Sequence, residues 1–269
     1  MNANSTRTFP IVFSDLDGTL LDHATYDYAP AKPALARLKE LSCPLVLASS
    51  KTAPEMAAIR SEIGFEHCPA IVENGAGVMA PGPFDPHADA NSYDELRMAL
   101  DSIPAQLREG FTGFGDWSAE QVAEQTGLSV EKARLAKARH YSEPGLWHGT
   151  EADERSFLGE LAEMGISARR GGRFLTLSFG ASKADRMEQI AERLAGEEVD
   201  RVVTLALGDA PNDLEMLEHA DRGVIVANPS GTGIPHLAGE DAGRITRTAL
   251  HGPAGWNEAV FRFLAEIGA

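Results

Sequence analysis

The sequence predicts a doubly wound α/β fold, in which helices cover both faces of a parallel sheet, with an α+β domain inserted into it. Short, wholly apolar segments alternate with helical patterns in the first and last thirds of the 269-residue chain, as expected for strands buried on both faces. This alternation stops near residue 82 and returns after Gly180. The segment between these points combines capped helices with a hairpin-like pattern, which is typical of an antiparallel α+β unit.

The first third of the chain contains strand-like segments separated by helices. The strand-like segments are residues 10–14, 44–48 and 70–72. Pro33 suits the first turn of a helix. A capping box formed by Thr52 and Glu55 predicts a second helix, which ends at Gly64. The Asn-Gly dipeptide at Asn74 is typical of a tight turn. This part therefore predicts three strands joined by two helices.

The middle segment begins at a proline-rich joint. Its prolines are Pro81, Pro83 and Pro86. Ser92 and Ser118 each stand three residues before Glu or Gln, which is the pattern of a helix start. Gly171 and Gly172 precede a loosely alternating run at residues 173–179, and this arrangement predicts an antiparallel hairpin. We therefore expect the middle segment to form a lid of mixed α and β structure.

After Gly180 the alternation of strands and helices returns. The predicted helices are residues 183–194 and 214–217, and the predicted strands are residues 202–207 and 224–226. The first and last thirds thus make one domain that is interrupted by an insertion. We expect the core domain to comprise residues 1–83 and 179–269, and the inserted cap to comprise residues 84–178.

Composition excludes several classes of protein. The formal net charge of −16 disfavours nucleic acid or an anionic membrane as the main partner, because both attract a basic surface. Cys43 and Cys68 fit no metal-ligand spacing and no disulfide framework, so we expect buried, reduced thiols. Residues 1–10 lack the apolar stretch of a signal peptide, and no later segment could span a bilayer. We expect a cytoplasmic protein, and the sequence leaves its oligomeric state open.

Two carboxylates follow the first predicted strand. Asp15 and Asp17 lie two residues apart, so both can point into one site, and Gly18 lets the main chain turn and frees a carbonyl that could bind a cation. One carboxylate can attack phosphorus while the other protonates the leaving oxygen and later activates water. A solvated acidic turn is the alternative interpretation. The full string Asp-Leu-Asp-Gly-Thr-Leu after a buried-looking strand favours a catalytic loop.

A second acidic group follows the strand at residues 202–207. Asp209 and Asp213 lie at a strand end that a parallel sheet would bring beside Asp15, where open α/β sheets bind ligands. Carboxylates brought together there would repel one another unless a divalent cation joined them, and Mg²⁺ suits oxygen ligands and phosphate. The alternative is a helix N-terminus carrying acids, which the helix dipole favours.

Two further segments supply groups that suit phosphate. Ser49 and Ser50 follow the second strand at a helix start, where hydroxyl and N–H groups could bind phosphate oxygens. Lys183 opens the helix that follows the insertion, where its ammonium could neutralise Asp15 and an incoming phosphate. Taken singly, serine-rich helix entries are common, and a lysine at a helix start is more often a solvated surface residue.

These four segments, in this order and spacing, resemble the motifs of the haloacid dehalogenase superfamily, whose phosphatases proceed through an aspartyl phosphate. The resemblance implies that Asp15 is the nucleophile and that Asp17 is the general acid and base, with its main-chain carbonyl on Mg²⁺. The catalytic residues are then Asp15, Asp17 and Lys183. The phosphate-binding residues are Ser49, Ser50, Lys183 and Asn212, and the metal site comprises Asp15, Asp17, Asp209 and Asp213.

A closer resemblance is to the mannosyl-3-phosphoglycerate phosphatases of that superfamily. The shared strings are Ser50-Lys51-Thr52, Tyr141-Ser142-Glu143-Pro144, Pro211-Asn212-Asp213 and Gly252-Pro253-x-Gly255-Trp256. The resemblance implies the larger type of cap found in sugar phosphatases. It also implies a small phosphorylated sugar as substrate, mannosyl-3-phosphoglycerate or its glucosyl analogue.

The cap carries residues that suit such a substrate. Arginine forks bind carboxylates, and a serine–glutamate pair suits sugar hydroxyls. The predicted substrate-binding residues are Arg139, Ser142, Glu143, Arg170 and Arg173, with Arg169 beside them. For any one of these arginines, an ordinary surface position is the alternative interpretation.

Other functions fit part of the pattern. A generic sugar phosphatase or a phosphosugar mutase of the same superfamily would keep the aspartyl phosphate. A receiver-type signalling module also phosphorylates an aspartate beside Mg²⁺. However, a receiver would carry neither a second acid at Asp17 nor a large insertion.

Overall fold

The computed structural model describes residues 8–85, 91–171, 173–196, 199–231 and 233–269, with no description of the Asn91 side chain. Pro86 of the predicted joint and Gly172 of the predicted hairpin turn lie outside these ranges. Within the described residues, the chain forms one sheet of seven strands and one sheet of four. We call these the central sheet and the cap sheet.

The strands and helices alternate along the chain. The strands are β1 (Thr8–Ser14), β2 (Leu45–Ala48), β3 (Ala70–Val72), β4 (Gly77–Met79), β5 (Phe111–Gly113), β6 (Ser142–Trp147), β7 (Ser167–Gly171), β8 (Phe174–Ser178), β9 (Arg201–Gly208), β10 (Arg222–Ala227) and β11 (Ile245–His251). The helices are α1 (Lys32–Glu40), α2 (Ala53–Ile63), α3 (Asn91–Ser102), α4 (Ala105–Arg108), α5 (Ala119–Thr126), α6 (Val130–Lys137), α7 (Glu151–Glu163), α8 (Lys183–Ala195), α9 (Leu214–His219), α10 (Ala238–Asp241) and α11 (Gly252–Glu266).

The central sheet has the order β11-β10-β9-β1-β2-β3-β4. Its neighbouring strands are parallel except for β3 and β4, which are antiparallel. Because β1 lies between β2 and β9, the carboxyl ends of these three strands meet at one edge of the sheet. The predicted parallel α/β core is confirmed.

Both faces of the central sheet are covered because its strands are apolar on both sides. Val12 of β1 belongs to a hydrophobic cluster that includes Trp256 of α11. Its neighbours Ile11 and Phe13 belong to the opposite cluster, with Met187 of α8. Alternate residues of a strand point to opposite faces, so a continuous apolar run supplies both clusters.

The C-terminal Gly-Trp pair supports the end of β1. Trp256 is fully buried, and its indole Nε1 donates to Ser14 Oγ at 2.9 Å. Ser14 Oγ in turn donates to the main-chain oxygen of Asp15 at 2.7 Å. A Cβ on Gly255 would lie 2.3 Å from the Leu250 oxygen, so only glycine lets α11 pack this closely. This motif therefore has a packing role beside the predicted nucleophile.

The cap sheet is antiparallel, with the order β5-β6-β8-β7. Leu175 and Leu177 of β8 pack with α3 and α7 in one cluster. Phe174 packs with residues of α5 and α6 in a second, smaller cluster. Ser118 is the N-cap of α5 in a capping box, as predicted, whereas Ser92 is the second residue of α3. The inserted α+β cap is confirmed, and residues 84 and 178 of the predicted boundaries fall before α3 and at the end of β8.

A buried arginine holds the first linker between core and cap. Arg60 of α2 is 1% exposed, and its guanidinium donates to the main-chain oxygens of Cys68, Ala80 and Gly82. Burial lowers the pKa of Arg60 from its ordinary value. Because Gly82 lies on the chain that leaves β4 toward the cap, Arg60 anchors that linker to the core.

The predicted thiols are buried and free. Cys43 and Cys68 form no disulfide, and burial raises the pKa of Cys43 to about 12. In the part of the chain that the structure describes, no helix combines the length and apolar character needed to cross a membrane.

Candidate active site

The site begins where β1 and β9 end. Asp15 follows β1 directly, and its N–H donates to the oxygen of Leu207 in β9 at 2.9 Å. Gly18 then turns the chain with φ of +86°. A Cβ on Gly18 would lie 2.3 Å from Asn228 Nδ2 and 2.7 Å from Asp209 Oδ2. Glycine is therefore required here both by conformation and by space.

Three buried carboxylates converge at this edge. Asp15, Asp209 and Asp213 have ligand atoms that all lie within 4.8 Å of one another. Their exposed fractions are 6%, 5% and 0%. Lys183 Nζ donates to Asp15 Oδ1 and to Asp213 Oδ1, at 2.7 Å each. One ammonium against three carboxylates leaves this cluster with excess negative charge.

The electrostatics of the cluster reflect that excess. Burial and the neighbouring Asp213 raise the pKa of Asp15 well above its usual value, although Lys183 opposes the shift. Burial also raises the pKa of Asp209. For Lys183, burial disfavours the ammonium, but Asp15 and Asp213 outweigh this effect and raise its pKa. An added cation would stabilise the ionised carboxylates.

The donor set fits a divalent cation that prefers oxygen ligands. Asp209 is oriented by Thr19 Oγ1, which donates to Oδ1 at 2.6 Å, and by Asn228 Nδ2, which donates to Oδ2 at 2.8 Å. Asp17 Oδ1 is buried and has no hydrogen-bond partner among the described residues. An orphaned buried oxygen beside excess negative charge is what a cation or its bound water would satisfy.

Asp213 has a supporting position in this set. Its Oδ2 accepts from the main-chain N–H groups of Asp209 and Ala210 at 3.1 Å each, and its Oδ1 is bound by Lys183. A Cβ on Gly208 would lie 2.5 Å from Asp213 Cβ, so the glycine before Asp209 makes room for it. Asp213 therefore shapes the loop after β9 and holds Lys183.

Asp17 lies at the mouth of the site and is paired with a lysine. Lys51 Nζ contacts Asp17 Oδ2 at 2.7 Å, and the Asp17 side chain is 31% exposed. Burial disfavours the charged form of Lys51, but Asp17 outweighs this effect, so the pKa of Lys51 is raised. Lys51 also lies 5.3 Å from the centre of the Tyr26 ring, which Lys132 of the cap approaches at 4.8 Å.

The two predicted phosphate-binding serines differ in their surroundings. Ser49 follows β2 directly and is 1% exposed, and its Oγ accepts from the Lys51 N–H at 3.3 Å. Ser50 is exposed and turns away from the interior. Asn212 is on the rim, where its Nδ2 donates to Asn74 Oδ1 at 3.1 Å. Of these three residues, Ser49 is the one enclosed within the core.

The predicted substrate residues at the start of β6 have protein partners. Arg139 Nε and Ser142 Oγ donate to the Glu73 carboxylate at 3.2 Å and 2.7 Å. Glu143 points into the cap interior, where Tyr93 Oη donates to its Oε2 at 2.5 Å. Neighbouring residues of a strand point to opposite faces, so Ser142 meets the core while Glu143 meets α3.

Strand alternation also separates the arginines of β7. Arg170 is opposite the buried Leu175 and pairs with Glu154 of α7, on the helix-covered face of the cap sheet. Arg169 points the other way and reaches Glu215 of the core at 3.4 Å. The Arg173 guanidinium lies 5.2 Å from the Phe174 ring centre. The structure thus gives Arg170 and Arg173 partners inside the cap and turns Arg169 toward the core.

Several site residues were not predicted from the sequence. They are Thr19, Lys51, Glu73 and Asn228. Thr19 lies within the Asp-Leu-Asp-Gly-Thr-Leu motif, and Lys51 lies within the Ser50-Lys51-Thr52 motif. Glu73 and Asn228 directly follow β3 and β10. The rule that ligands bind beyond the carboxyl ends of parallel strands, applied to every strand, would have found both residues.

Comparison with known proteins gives the same fold. A family model described as haloacid dehalogenase-like hydrolase matches residues 12–88 and 158–232, which is more than half of the chain. The sucrose-phosphatase of Synechocystis sp. PCC6803, solved with sucrose and phosphate, is 18% identical with a TM-score of 0.59, over 96% of this chain and 97% of that one. A Thermotoga maritima protein reaches a TM-score of 0.62 at 17% identity, over 94% and 97% of the two chains.

A further structural neighbour is a phosphatase of this superfamily from Bacteroides thetaiotaomicron. It is 18% identical with a TM-score of 0.55, over 100% of this chain and 98% of that one. At such identities these structures establish the shared architecture of core and cap. The family match rests on the sequence itself and covers the loops after β1, β2 and β9 that build the site. This chain belongs to the haloacid dehalogenase-like hydrolases.

Proposed function

We propose that this hydrolase cleaves phosphate monoesters by way of an aspartyl phosphate on Asp15. The observation that carries the proposal is the buried Asp15 carboxylate, bound by Lys183 at 2.7 Å and grouped with Asp209 and Asp213 at the ligand-binding edge of the sheet. A single ammonium beside three carboxylates suits a site that gains a cation and handles an anionic substrate.

In the first step, an Asp15 carboxylate oxygen attacks phosphorus and the bond from phosphorus to the leaving oxygen breaks. Asp17 gives its proton to that oxygen, so the alcohol leaves neutral. Lys183 stays against Asp15 and offsets charge on the transferring phosphoryl group. Ser49, which is buried and directly follows β2, would donate to a phosphoryl oxygen.

In the second step, Asp17 takes a proton from water while the water oxygen attacks phosphorus. The bond between Asp15 and phosphorus breaks, inorganic phosphate leaves and the carboxylate is restored. The partly exposed position of Asp17 at the mouth, against the buried position of Asp15, agrees with this division of roles. Phosphoryl transfer mainly requires positioning and charge neutralisation, which these groups supply.

Mg²⁺ is the proposed cofactor. When bound, it would neutralise charge on the phosphoryl oxygens. Asp15, Asp209 and the main-chain carbonyl of Asp17 would hold it, with Asp213 in support. Thr19 and Asn228 would orient Asp209 through the hydrogen bonds that they already donate.

For the substrate, we propose mannosyl-3-phosphoglycerate or its glucosyl analogue, with release of the glycosylglycerate. Support comes from the sequence strings shared with that phosphatase family and from a cap that packs over the mouth of the site. Lys51 and Lys132, which both approach the Tyr26 ring, would add positive charge that attracts a substrate with both a phosphate and a carboxylate. A sucrose-phosphatase among the structural neighbours binds sucrose and phosphate.

A substrate panel tests this proposal. Phosphate release with Mg²⁺ is measured for the two glycosyl-phosphoglycerates, 3-phosphoglycerate and mannose 6-phosphate. We expect the glycosyl-phosphoglycerates to have much the highest kcat/KM. Equal values across the panel would leave a generic sugar phosphatase, and an isomerised sugar phosphate without free phosphate would indicate a mutase.

The mechanism is tested with Asp17→Asn. We expect kcat for alkyl phosphates to fall by roughly 10²–10⁴, the usual effect of losing a general acid and base. With a good leaving group such as p-nitrophenol, a phosphorylated enzyme should then accumulate and be detected by mass spectrometry. Near-normal turnover of alkyl phosphates would contradict the role of Asp17.

A further inference from the structure

Glu73 is a buried carboxylate that the proposed chemistry does not use. It follows β3 directly, so it occupies the strand-end position that Asp15, Ser49 and Asp209 occupy after their own strands. Its side chain is fully shielded from solvent. An ionised carboxylate in the protein interior is costly unless donors satisfy it, so its partners indicate its role.

Those partners come from one segment of the cap. Every hydrogen bond that the described residues donate to the Glu73 carboxylate originates in residues 139–142. The donors are Arg139 Nε at 3.2 Å, the His140 N–H at 2.9 Å, the Tyr141 N–H at 3.2 Å and Ser142 Oγ at 2.7 Å. Two of them are main-chain groups, so the hydrogen bonds to Glu73 depend on where the main chain of the cap segment lies as well as on its side chains.

The main chain of Glu73 braces the loop after β2. The Glu73 N–H donates to the Lys51 oxygen at 3.0 Å, and the Asn74 N–H donates to the Ser49 oxygen at 2.9 Å. Glu73 and Asn74 have φ of +53° and +59°, in the left-handed region that costs energy for residues other than glycine. The loop containing Ser49 and Lys51 is therefore tied to a strained turn.

The same turn contacts the helix that carries Lys183. A Cβ on Gly75, which has φ of +97°, would lie 2.6 Å from the main-chain nitrogen of Lys183. Arg186 Nε of that helix donates to the Gly75 oxygen at 3.0 Å. Residues 73–75 thus join the cap, the serine loop and the start of α8 in one small turn.

We propose that Glu73 is a positioning residue that couples docking of the cap to the geometry of the phosphate-binding loop. Docked residues 139–142 satisfy its carboxylate, and its main chain then holds Ser49 and Lys51 in place. Undocking the cap would remove these four donors from the carboxylate, so the docked cap and the ordered loop stabilise each other. The proposal rests on the proposed function for its kinetic consequences, and it also explains why Arg139 and Ser142 contact the protein.

The test compares Glu73→Gln with the unaltered chain. The amide keeps the shape but loses the charge and one acceptor, so we expect kcat to fall about 10- to 100-fold through misplacement of the loop. We expect competitive inhibition by inorganic phosphate to weaken by about tenfold, because the same loop would bind it. Hydrogen exchange at the amides of His140 and Tyr141 should become faster. Ser142→Ala should change all three measurements in the same direction but less.

Two controls separate positioning from stability and charge. Glu40→Gln changes an exposed glutamate on α1 and should leave kcat within about twofold. Leu161→Ala removes a fully buried side chain from the cap interior, so it lowers thermal stability without touching the turn. We expect phosphate inhibition in Leu161→Ala to stay within about twofold of the unaltered chain.

The outcomes decide between the two roles. Lowered stability of Glu73→Gln with unchanged kcat and unchanged phosphate inhibition would overturn the positioning role, as would unchanged exchange at residues 140 and 141. If Glu73→Gln does not fold, Ser142→Ala decides by the same measurements. If the unaltered chain releases no phosphate from any substrate, the proposed function fails, and the exchange experiment still decides whether Glu73 holds the cap.

Discussion

The core and the cap each contain a cluster of acidic side chains, but the two clusters differ in charge balance. The carboxylate cluster of the core consists of Asp15, Asp209 and Asp213 with Lys183. The cap network consists of Glu143 and Asp116 with Arg97 and Arg108. Three acids face one base in the core, whereas two acids face two bases in the cap.

This difference distinguishes the proposed reactive site from a structural network. In the cap, Arg97 bridges Glu143 at 3.1 Å and Asp116 at 2.6 Å, so each carboxylate has a guanidinium partner. In the core, burial and repulsion from neighbouring acids raise the pKa of Asp15, so that cluster costs stability in its ionised form. A buried acid cluster without enough bases is poised to bind a cation or an anionic substrate. A balanced one holds strands and helices together.

The largest expected effect is that of Asp15→Asn. An amide cannot form the aspartyl phosphate, so we expect turnover to vanish while substrate still binds. Because burial and Asp213 disfavour the Asp15 carboxylate, the free energy of unfolding should stay the same or increase. Steady-state kinetics and thermal unfolding check both parts. Residual hydrolysis by a clean variant, with deamidation excluded, would contradict the role of Asp15.

The second prediction concerns Mg²⁺, which would balance the excess negative charge of the carboxylate cluster in the core. We expect a chelator to abolish activity and Mg²⁺ to restore it. Mg²⁺ at 100 times its Kd should also stabilise the fold by about 2.7 kcal/mol, because it binds the native state only. Asp209→Ala should lose both effects. Full activity in metal-free buffer, or equal Mg²⁺ stabilisation of Asp209→Ala, would contradict the site.

The third prediction concerns the cap network, where breaking an ion pair should lower stability and leave the chemistry of the core intact. Glu143→Ala removes one partner of a buried ion pair and should cost about 3–5 kcal/mol of unfolding free energy. Hydrolysis of a small substrate such as p-nitrophenyl phosphate should persist at temperatures where the variant is folded, because Glu143 does not touch the carboxylate cluster. Chemical denaturation and initial rates check this. Loss of activity toward p-nitrophenyl phosphate in the folded variant would place Glu143 in the site after all.

The smallest predicted effect depends on pH. Burial opposes ionisation of Asp116, but hydrogen bonds from Arg97 and the Gly113 N–H outweigh it and lower its pKa. The stability from a lowered folded pKa is present above the unfolded value of about 3.9 and is lost as pH falls through the folded value. Asp116→Asn should therefore cost about 1 kcal/mol at pH 7, discounted for partial exposure. The difference should begin to close as pH falls below about 4, and an equal cost at pH 3 and pH 7 would contradict it.

The position of the carboxylate cluster could be predicted because it follows from local sequence and one topological rule. Asp15, Ser49 and Asp209 each come directly after an apolar run, and parallel strands bring such positions to one edge. The same rule extends to Glu73 and Asn228, which directly follow β3 and β10 but lie outside the catalytic motifs.

The roles of the cap residues could not be predicted in the same way. Ser142 and Glu143 are adjacent, and their chemistry alone suits sugar hydroxyls. Their partners depend on which face of β6 meets the core and which meets α3, and these contacts join residues about 50 to 70 positions apart. Arg169 and Arg170 differ for the same reason, because register decides which of them turns toward the core.

The sequence alone therefore determined the α/β core, the inserted cap, the family resemblance and the strand-end acids, since each depends on periodicity or on a short string with its own mechanism. Only the tertiary structure decided which polar side chains form hydrogen bonds or ion pairs with other parts of the protein. A hydrogen bond or ion pair between distant segments satisfies a side chain, and nothing in its local sequence records that partner. Glu73 shows this most clearly, because among the described residues every donor to its carboxylate comes from the cap segment that the fold brings to it.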